Sequence, residues 1–149
     1  MQLFFVGSTE GMTHHQKKVV KEFLEDNKDS IDRILHGDGR GADEEFHGIC
    51  HELGLINKIC IHPLNKREKR ALCKAPYIAE PTTYYLRKKT MLKKASFLLA
   101  ATSTYQANPV FGCWPMVDAA KEKPIPVLII FPDGTIRKVN HEVNLLSSV

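Results

Sequence analysis

Ile31-Asp32-Arg33-Ile34-Leu35-His36-Gly37-Asp38-Gly39-Arg40-Gly41-Ala42-Asp43 is the stretch that decides the fold. Ile31–Leu35 is a short apolar run with strand character, and from Ala42 onward apolar residues recur at helical spacing. Between them Gly37, Gly39 and Gly41 let the backbone bend sharply and bring its N–H groups against a ligand. A helix starting at Ala42 turns its partial positive end toward the same place, which favours phosphate. A strand that runs through a glycine loop into a helix is a building block of nucleotide-handling α/β sites.

Outward from this stretch the same alternation continues. Leu3–Val6 reads as a first strand ending at Gly7-Ser8, and a helix from about Met12 to Asn27 carries Gln16, Val20 and Leu24 at helical spacing. After the second strand, Ile31–Leu35, comes a helix from about Ala42 to Leu53, with Phe46, Ile49 and Cys50 on one face and Gly54 as its stop. Lys58–Ile61 is a third strand. Residues 62–81 carry Pro63, Pro76 and Pro81 and no clean period, and read as an extended loop beside the site. A helix over Thr82–Lys94, a strand over Ser96–Ala100, a helix over Trp114–Glu122 and a strand over Pro126–Phe131 follow. Asp133-Gly134 then turns the chain into Thr135–Val139, and residues 140–149 read as a tail.

The expectation is one α/β domain over residues 1–149: a Rossmann-like, doubly wound, mainly parallel five-stranded sheet with helices on both faces. Ligands of such sheets bind outside the carboxyl ends of the strands. Gly7-Ser8, His36–Asp43, His62, Thr102-Ser103 and Gly112-Cys113-Trp114 all fall at those ends.

Charge adds direction. The 149 residues carry a formal net charge of +4, but residues 58–94 hold eleven Lys and Arg against two Glu, a local charge of +9 that leaves −5 elsewhere. Such a block suits a phosphorylated small molecule or a nucleic-acid backbone. Within it Arg87 lies nearest the helix start and the ligand edge, which makes it the phosphate partner. The four cysteines, Cys50, Cys60, Cys73 and Cys113, show no CxxC pair and read as free thiols. No apolar run is long enough to span a bilayer and no basic leader precedes Leu3, so a cytoplasmic protein without a membrane partner is expected.

Several familiar chemistries are missing. The glycine spacing is not GxGxxG and no GK[ST] follows, so no cofactor is implied. His47 and His51 stand at i, i+4 beside Cys50, but HEXXH and a third ligand are absent, and no metal site is expected. Cys113 opens a helix whose dipole would favour a thiolate, yet no base stands near it, so it reads as a small buried residue. Arg40 suits a phosphate in the glycine loop. Asp43 suits either a helix cap or a ribose hydroxyl.

Val6-Gly7-Ser8, His36 through Asp43, His62-Pro63, Leu86-Arg87, Ala95 through Ala100, Gly112-Cys113-Trp114 and Pro132-Asp133-Gly134 together resemble the SLOG superfamily, in particular its small YspA-like members. The resemblance spans Leu3 to about Gly134 and implies a Rossmann-like fold that binds nucleotides, nucleotide-derived signals or, in some branches, DNA. The chain is also similar to the cytokinin-activating phosphoribohydrolases, whose RKxxM motif is matched by Arg87-Lys88-Lys89-Thr90-Met91. Their PGGxGTxxE motif is not kept: Asn108 through Met116 replaces it, with Cys113 for the threonine and Met116 for the catalytic glutamate. A methionine neither takes a proton nor stabilises an oxocarbenium-like ribose.

The expected function is binding of a nucleotide or nucleotide-derived signal by Gly7, Ser8, His36, Gly37, Gly39, Arg40, Gly41, Asp43, Arg87, Gly112, Cys113 and Trp114. Trp114 or the tyrosines Tyr84 and Tyr85 would stack on the base. The alternative is an N-glycosidase for a nucleoside 5′-monophosphate, with Asp43 or Asp118 in place of the missing glutamate. A second alternative is nucleic-acid binding through residues 58–94. An exposed sheet edge offers a homodimer contact.

Overall fold

Alternation along Leu3-Phe4-Phe5-Val6 explains why the sheet is covered on both faces. Leu3 and Phe5 point into one apolar cluster, Phe4 and Val6 into the other. In the computed structural model, which describes residues 1–108 and 113–141, this run lies in the central strand β1 (Gln2–Gly7). It is followed by α1 (His14–Asn27), β2 (Arg33–His36), α2 (Ala42–Glu52), β3 (Ile59–Ile61), β4 (Tyr77–Ile78), α3 (Tyr84–Lys94), β5 (Phe97–Ala101), α4 (Trp114–Glu122), β6 (Val127–Ile130) and β7 (Ile136–Val139).

The described residues form a seven-stranded sheet in the order β4-β3-β2-β1-β5-β6-β7, parallel except for β7. The chain winds outward from β1 to β4, then returns to place β5 on the other side of β1, with Leu3 opposite both Ile34 and Phe97. Side chains of α1 and α2 fill one face: Val20, Leu24 and Phe46 are fully buried there. Side chains of α3 and α4 fill the other, through Met91, Val117 and Ala120. Phe5 and Phe46 stack with ring centroids 4.1 Å apart. Truncating either to alanine costs about 3–5 kcal/mol.

The strand count departs from the five expected. β4 lies within the segment read as a loop; it has two residues, both exposed, so it carries no apolar pattern. β7 is the antiparallel return of the Asp133-Gly134 turn, and three of its four residues are exposed. Both are edge strands, where burial writes least into the sequence. Of the C-terminal tail, residues 142–149 lie outside the described residues.

Position Gln16, counted on the apolar stripe of α1, is a buried amide. It completes a capping box with Thr13, and its Nε2 donates to the carbonyls of Thr102 at 2.7 Å and Ile130 at 2.9 Å. This ties α1 to the carboxyl ends of β5 and β6. The start of α2 is held just as closely. Gly41, its N-cap, has φ +85°, and a Cβ there would lie 2.3 Å from the Thr9 carbonyl oxygen.

Two glycines of this region therefore have opposite expected responses to alanine. Gly41→Ala lowers stability by about 3 kcal/mol, from the left-handed backbone and the clash with Thr9. Gly48 is exposed on α2, and a Cβ there would have nothing within 4 Å; alanine gains about 0.5–1 kcal/mol at that position. Urea unfolding of the two variants checks both signs; a neutral Gly41→Ala contradicts the packing described.

Candidate functional site

β1 is flanked by β2 on one side and β5 on the other, and the loops leaving β1 and β5 run to opposite faces. This is the switch point of a doubly wound sheet, where a crevice opens. A cavity of about 500 Å³ lies there. Its floor is apolar, formed by Val6, Met91 and Met116, and its walls carry Arg40, Asp43, Lys69 and Arg87.

The glycine loop forms one wall, but its glycines serve a different purpose from the one expected. A Cβ on Gly7 would stand 2.4 Å from that of Ala42, and Gly41 abuts the carbonyls of Ser8 and Thr9. The Ala42 N–H donates to the Ser8 carbonyl at 3.0 Å. The first turn of α2 also holds Asp43, Glu44 and Glu45. The helix start is thus blocked by a neighbouring loop, and the three carboxylates in its first turn oppose an anion there. Close approach here is to side chains at Gly7 and to backbone at Gly41.

Asp43 folds back over the loop and accepts the Gly39 N–H on Oδ2 at 2.9 Å. It caps the glycine loop rather than its own helix. Burial raises its carboxyl to about 6, against the opposing pull of the Gly39 amide and Arg87. It is therefore ionised at neutral pH and takes up a proton just below. Arg87, from the first turn of α3, donates from Nη1 to the Gly37 carbonyl at 2.9 Å. A Cβ on Gly37 would meet that nitrogen at 2.7 Å and the Asp43 Oδ2 at 3.3 Å, so glycine is required between them.

Asp38, which is not among the residues expected at the site, joins a second segment to this wall. It is fully buried with φ +55°. Its carboxylate accepts from Arg70 Nε and from the Cys73 N–H, each at 2.9 Å, and its carbonyl accepts the Ala71 N–H at 2.7 Å. Residues 64–75 are thereby strapped to the glycine loop, which brings Leu64, Lys69 and Arg70 to the cleft. The signal in the sequence was an aspartate between two glycines, a residue type that tolerates the left-handed region.

His36 does not reach the cleft. It is buried beneath the loop, its Nδ1 accepting the Asp38 N–H at 3.0 Å and its Nε2 lying 2.9 Å from His47 Nδ1. His47 Nε2 in turn lies 3.0 Å from the Lys74 carbonyl. A carbonyl only accepts, so His47 carries its proton on Nε2 and its Nδ1 accepts; His36 then donates from Nε2. One tautomer set satisfies the relay. Burial holds His36 down at about 3 and lowers His47 as well.

His36, His47 and Cys73 place one ligand atom each within 4.8 Å of one another. Coordination by His36 Nε2 would move its proton to Nδ1, against the Asp38 N–H, so the set is built as a hydrogen-bond relay and does not fit a metal. The His47, Cys50 and His51 grouping does not form either: Cys50 is in the core and His51 is exposed.

Of the remaining expected site residues, Gly7, Ser8 and Cys113 line or border the cleft. Burial pushes the Cys113 thiol up to about 12, so it is a neutral floor residue. Trp114 is buried and unavailable for stacking; its indole N–H donates to Thr104 Oγ1 at 2.9 Å. Tyr84 lines the cleft and is half exposed, with the Arg87 guanidinium 5.6 Å from its ring centroid. Asp118 is exposed and is not among the residues lining the cleft. Gly112 lies outside the described residues. His62, expected at the rim, is buried, and burial lowers it to about 4. Within the basic block, Lys58 is turned inward to the Ile31 carbonyl at 2.7 Å, and Arg70 and Arg87 are engaged as above. The four cysteines are free. No helix among the described residues is long and apolar enough to cross a membrane.

Compared with protein-family models, with curated proteins and with solved structures, the chain matches none. Long-range ¹H–¹⁵N NMR at pH 6 is expected to show His36 and His47 neutral and protonated on Nε2. Because His36 has a depressed folded pKa, the stability it contributes is present above 6.5 and lost as pH falls, at about 1.4 kcal/mol per pH unit. A His36 that titrates near 6.5 contradicts the relay.

Proposed function

We propose that the cleft binds a nucleotide or a nucleotide-derived ligand. The observation that carries this reading is the coincidence, at the switch point, of an apolar floor with the cations Arg40, Lys69 and Arg87 around one cavity of about 500 Å³. That volume lies within the roughly 300–1,000 Å³ range of small-molecule sites. Apolar floor and cationic wall match a base at one end of a ligand and phosphate at the other. The order of motifs that resembles the SLOG superfamily supports the same class of ligand. Phosphate is then met by side chains of the loop and strap, since the start of α2 is already closed.

Hydrolysis of the N-glycosidic bond is the second reading, and Asp43 is what favours it. Its carboxyl titrates near 6, where one group serves as both acid and base. The pair of carboxylates that such hydrolysis ordinarily uses is not assembled: Met116 lies in the floor, Asp118 is elsewhere, and Glu10 is exposed at the mouth.

Calorimetry against nucleoside 5′-monophosphates tests the binding reading, with chromatography of the same mixtures for free base. Bound, intact nucleotide is the expected result. Arg40 and Lys69 are exposed, so Arg40→Ala and Lys69→Ala should each weaken monophosphates about tenfold, or about 1.4 kcal/mol. Unphosphorylated nucleosides should be unaffected, and folding stability should stay within about 0.5 kcal/mol. No heat with any nucleotide overturns the reading; release of base transfers it to hydrolysis.

A further inference from the structure

The depth profile of the cleft suggests more than a ligand class. Its floor residues Val6, Met91 and Met116 are 9%, 1% and 6% exposed, Asp43 is half-buried above them, and Arg40 and Lys69 are exposed at the mouth. Apolar surface lies deepest, the Asp43 carboxylate follows with the half-buried Arg87 beside it, and exposed cations stand at the mouth. A nucleotide has the same order: base, ribose, phosphate.

Asp43 sets the middle of this profile. Among the described residues it forms no ion pair; the Gly39 N–H bonds its Oδ2, and the Gly37 backbone amide and the Arg87 charge nearby also favour its ionised form. A phosphate placed against it would meet like charge at short range, so phosphate is directed to the mouth. What suits a half-buried carboxylate is a neutral group with donors, which its charge makes strong hydrogen bonds of. The ribose 2′- and 3′-hydroxyls are such a pair, and a carboxylate that reads the 2′-hydroxyl is a known device of doubly wound sheets. Gly37 and Gly39, flanking Asp43, have no side chains to cover it; a Cβ on either would come within 3.3 Å of Oδ2.

Resting on the nucleotide reading, we infer that the site is selective for ribonucleotides over 2′-deoxyribonucleotides, with Asp43 accepting from the ribose diol. Next to a deoxyribose, the acceptor sites of Asp43 that the loop amides leave open would stay unmatched in a partly dried cleft, and that is the source of the discrimination.

The test compares the common ribonucleoside 5′-monophosphates with their 2′-deoxy and 3′-deoxy counterparts by calorimetry on the unaltered protein. The expected result is a loss of about tenfold or more on removing the 2′-hydroxyl, the 3′-hydroxyl or both. Equal affinity for ribo and deoxy forms overturns the selectivity and leaves nucleotide binding standing; absence of binding by every form removes both. Asp43→Asn then assigns the residue. Its amide oxygen keeps the Gly39 N–H, so the loop retains its cap, and the preference is expected to collapse toward unity. A preference that survives in a folded Asp43→Asn protein removes Asp43 from the role. The comparison on the unaltered protein decides the selectivity even where that variant does not fold.

Discussion

A buried carboxylate in a left-handed backbone, Asp38, is the constraint on which the cleft depends. A charge with no exposed surface must be paired and hydrogen-bonded or the fold expels it. Asp38 meets that demand with Arg70 and the Cys73 N–H, both from residues 64–75, a segment with little regular structure of its own. Its backbone meets further demands at the same point, through the Ala71 N–H and the His36 ring. One residue thus joins the glycine loop, the strap and the histidine relay. Removing either charge of the pair costs about 3–5 kcal/mol, and the wall that carries Lys69 is what would come loose.

The wall so fixed gives the cleft cationic side chains in place of a helix dipole. Ser8 and Thr9 press on the start of α2, and three carboxylates sit in its first turn. What remains for an anion is a set of side chains on separate segments: Arg40 on the loop, Lys69 on the strap, and Arg87 entering from α3. Arg87 is half spent, since one of its N–H groups holds the Gly37 carbonyl. Arg40 and Lys69 are exposed and unconstrained by ion pairs among the described residues.

The helices and the central strands were legible because burial leaves a period: 3.6 in α1 and α2, an unbroken apolar run in β1 and β5. The edge strands β4 and β7 left none, their residues being largely exposed. The site was legible as a place and less so as a set of roles. Composition marks a glycine as close approach but does not say to what; Gly7 and Gly41 approach protein backbone and side chain, not open cleft. Trp114 resembles a stacking residue in sequence, and only packing shows its ring buried and its N–H used. Asp38 and Arg70 are far apart along the chain, and nothing local couples them; a tertiary ion pair does, and it carries the neighbouring Lys69 to the cleft.

The central claim is that small anionic ligands enter the cleft at the end of β1 that is lined by the glycine loop, the strap bonded to it and the start of α3. Amide hydrogen exchange with and without a saturating mixture of ribonucleoside 5′-monophosphates tests it most directly. Slowed exchange confined to residues 37–43, residues 64–73 and the first turn of α3 is the predicted result. Unchanged exchange there, or protection appearing instead along the lysines at the far end of α3, contradicts it.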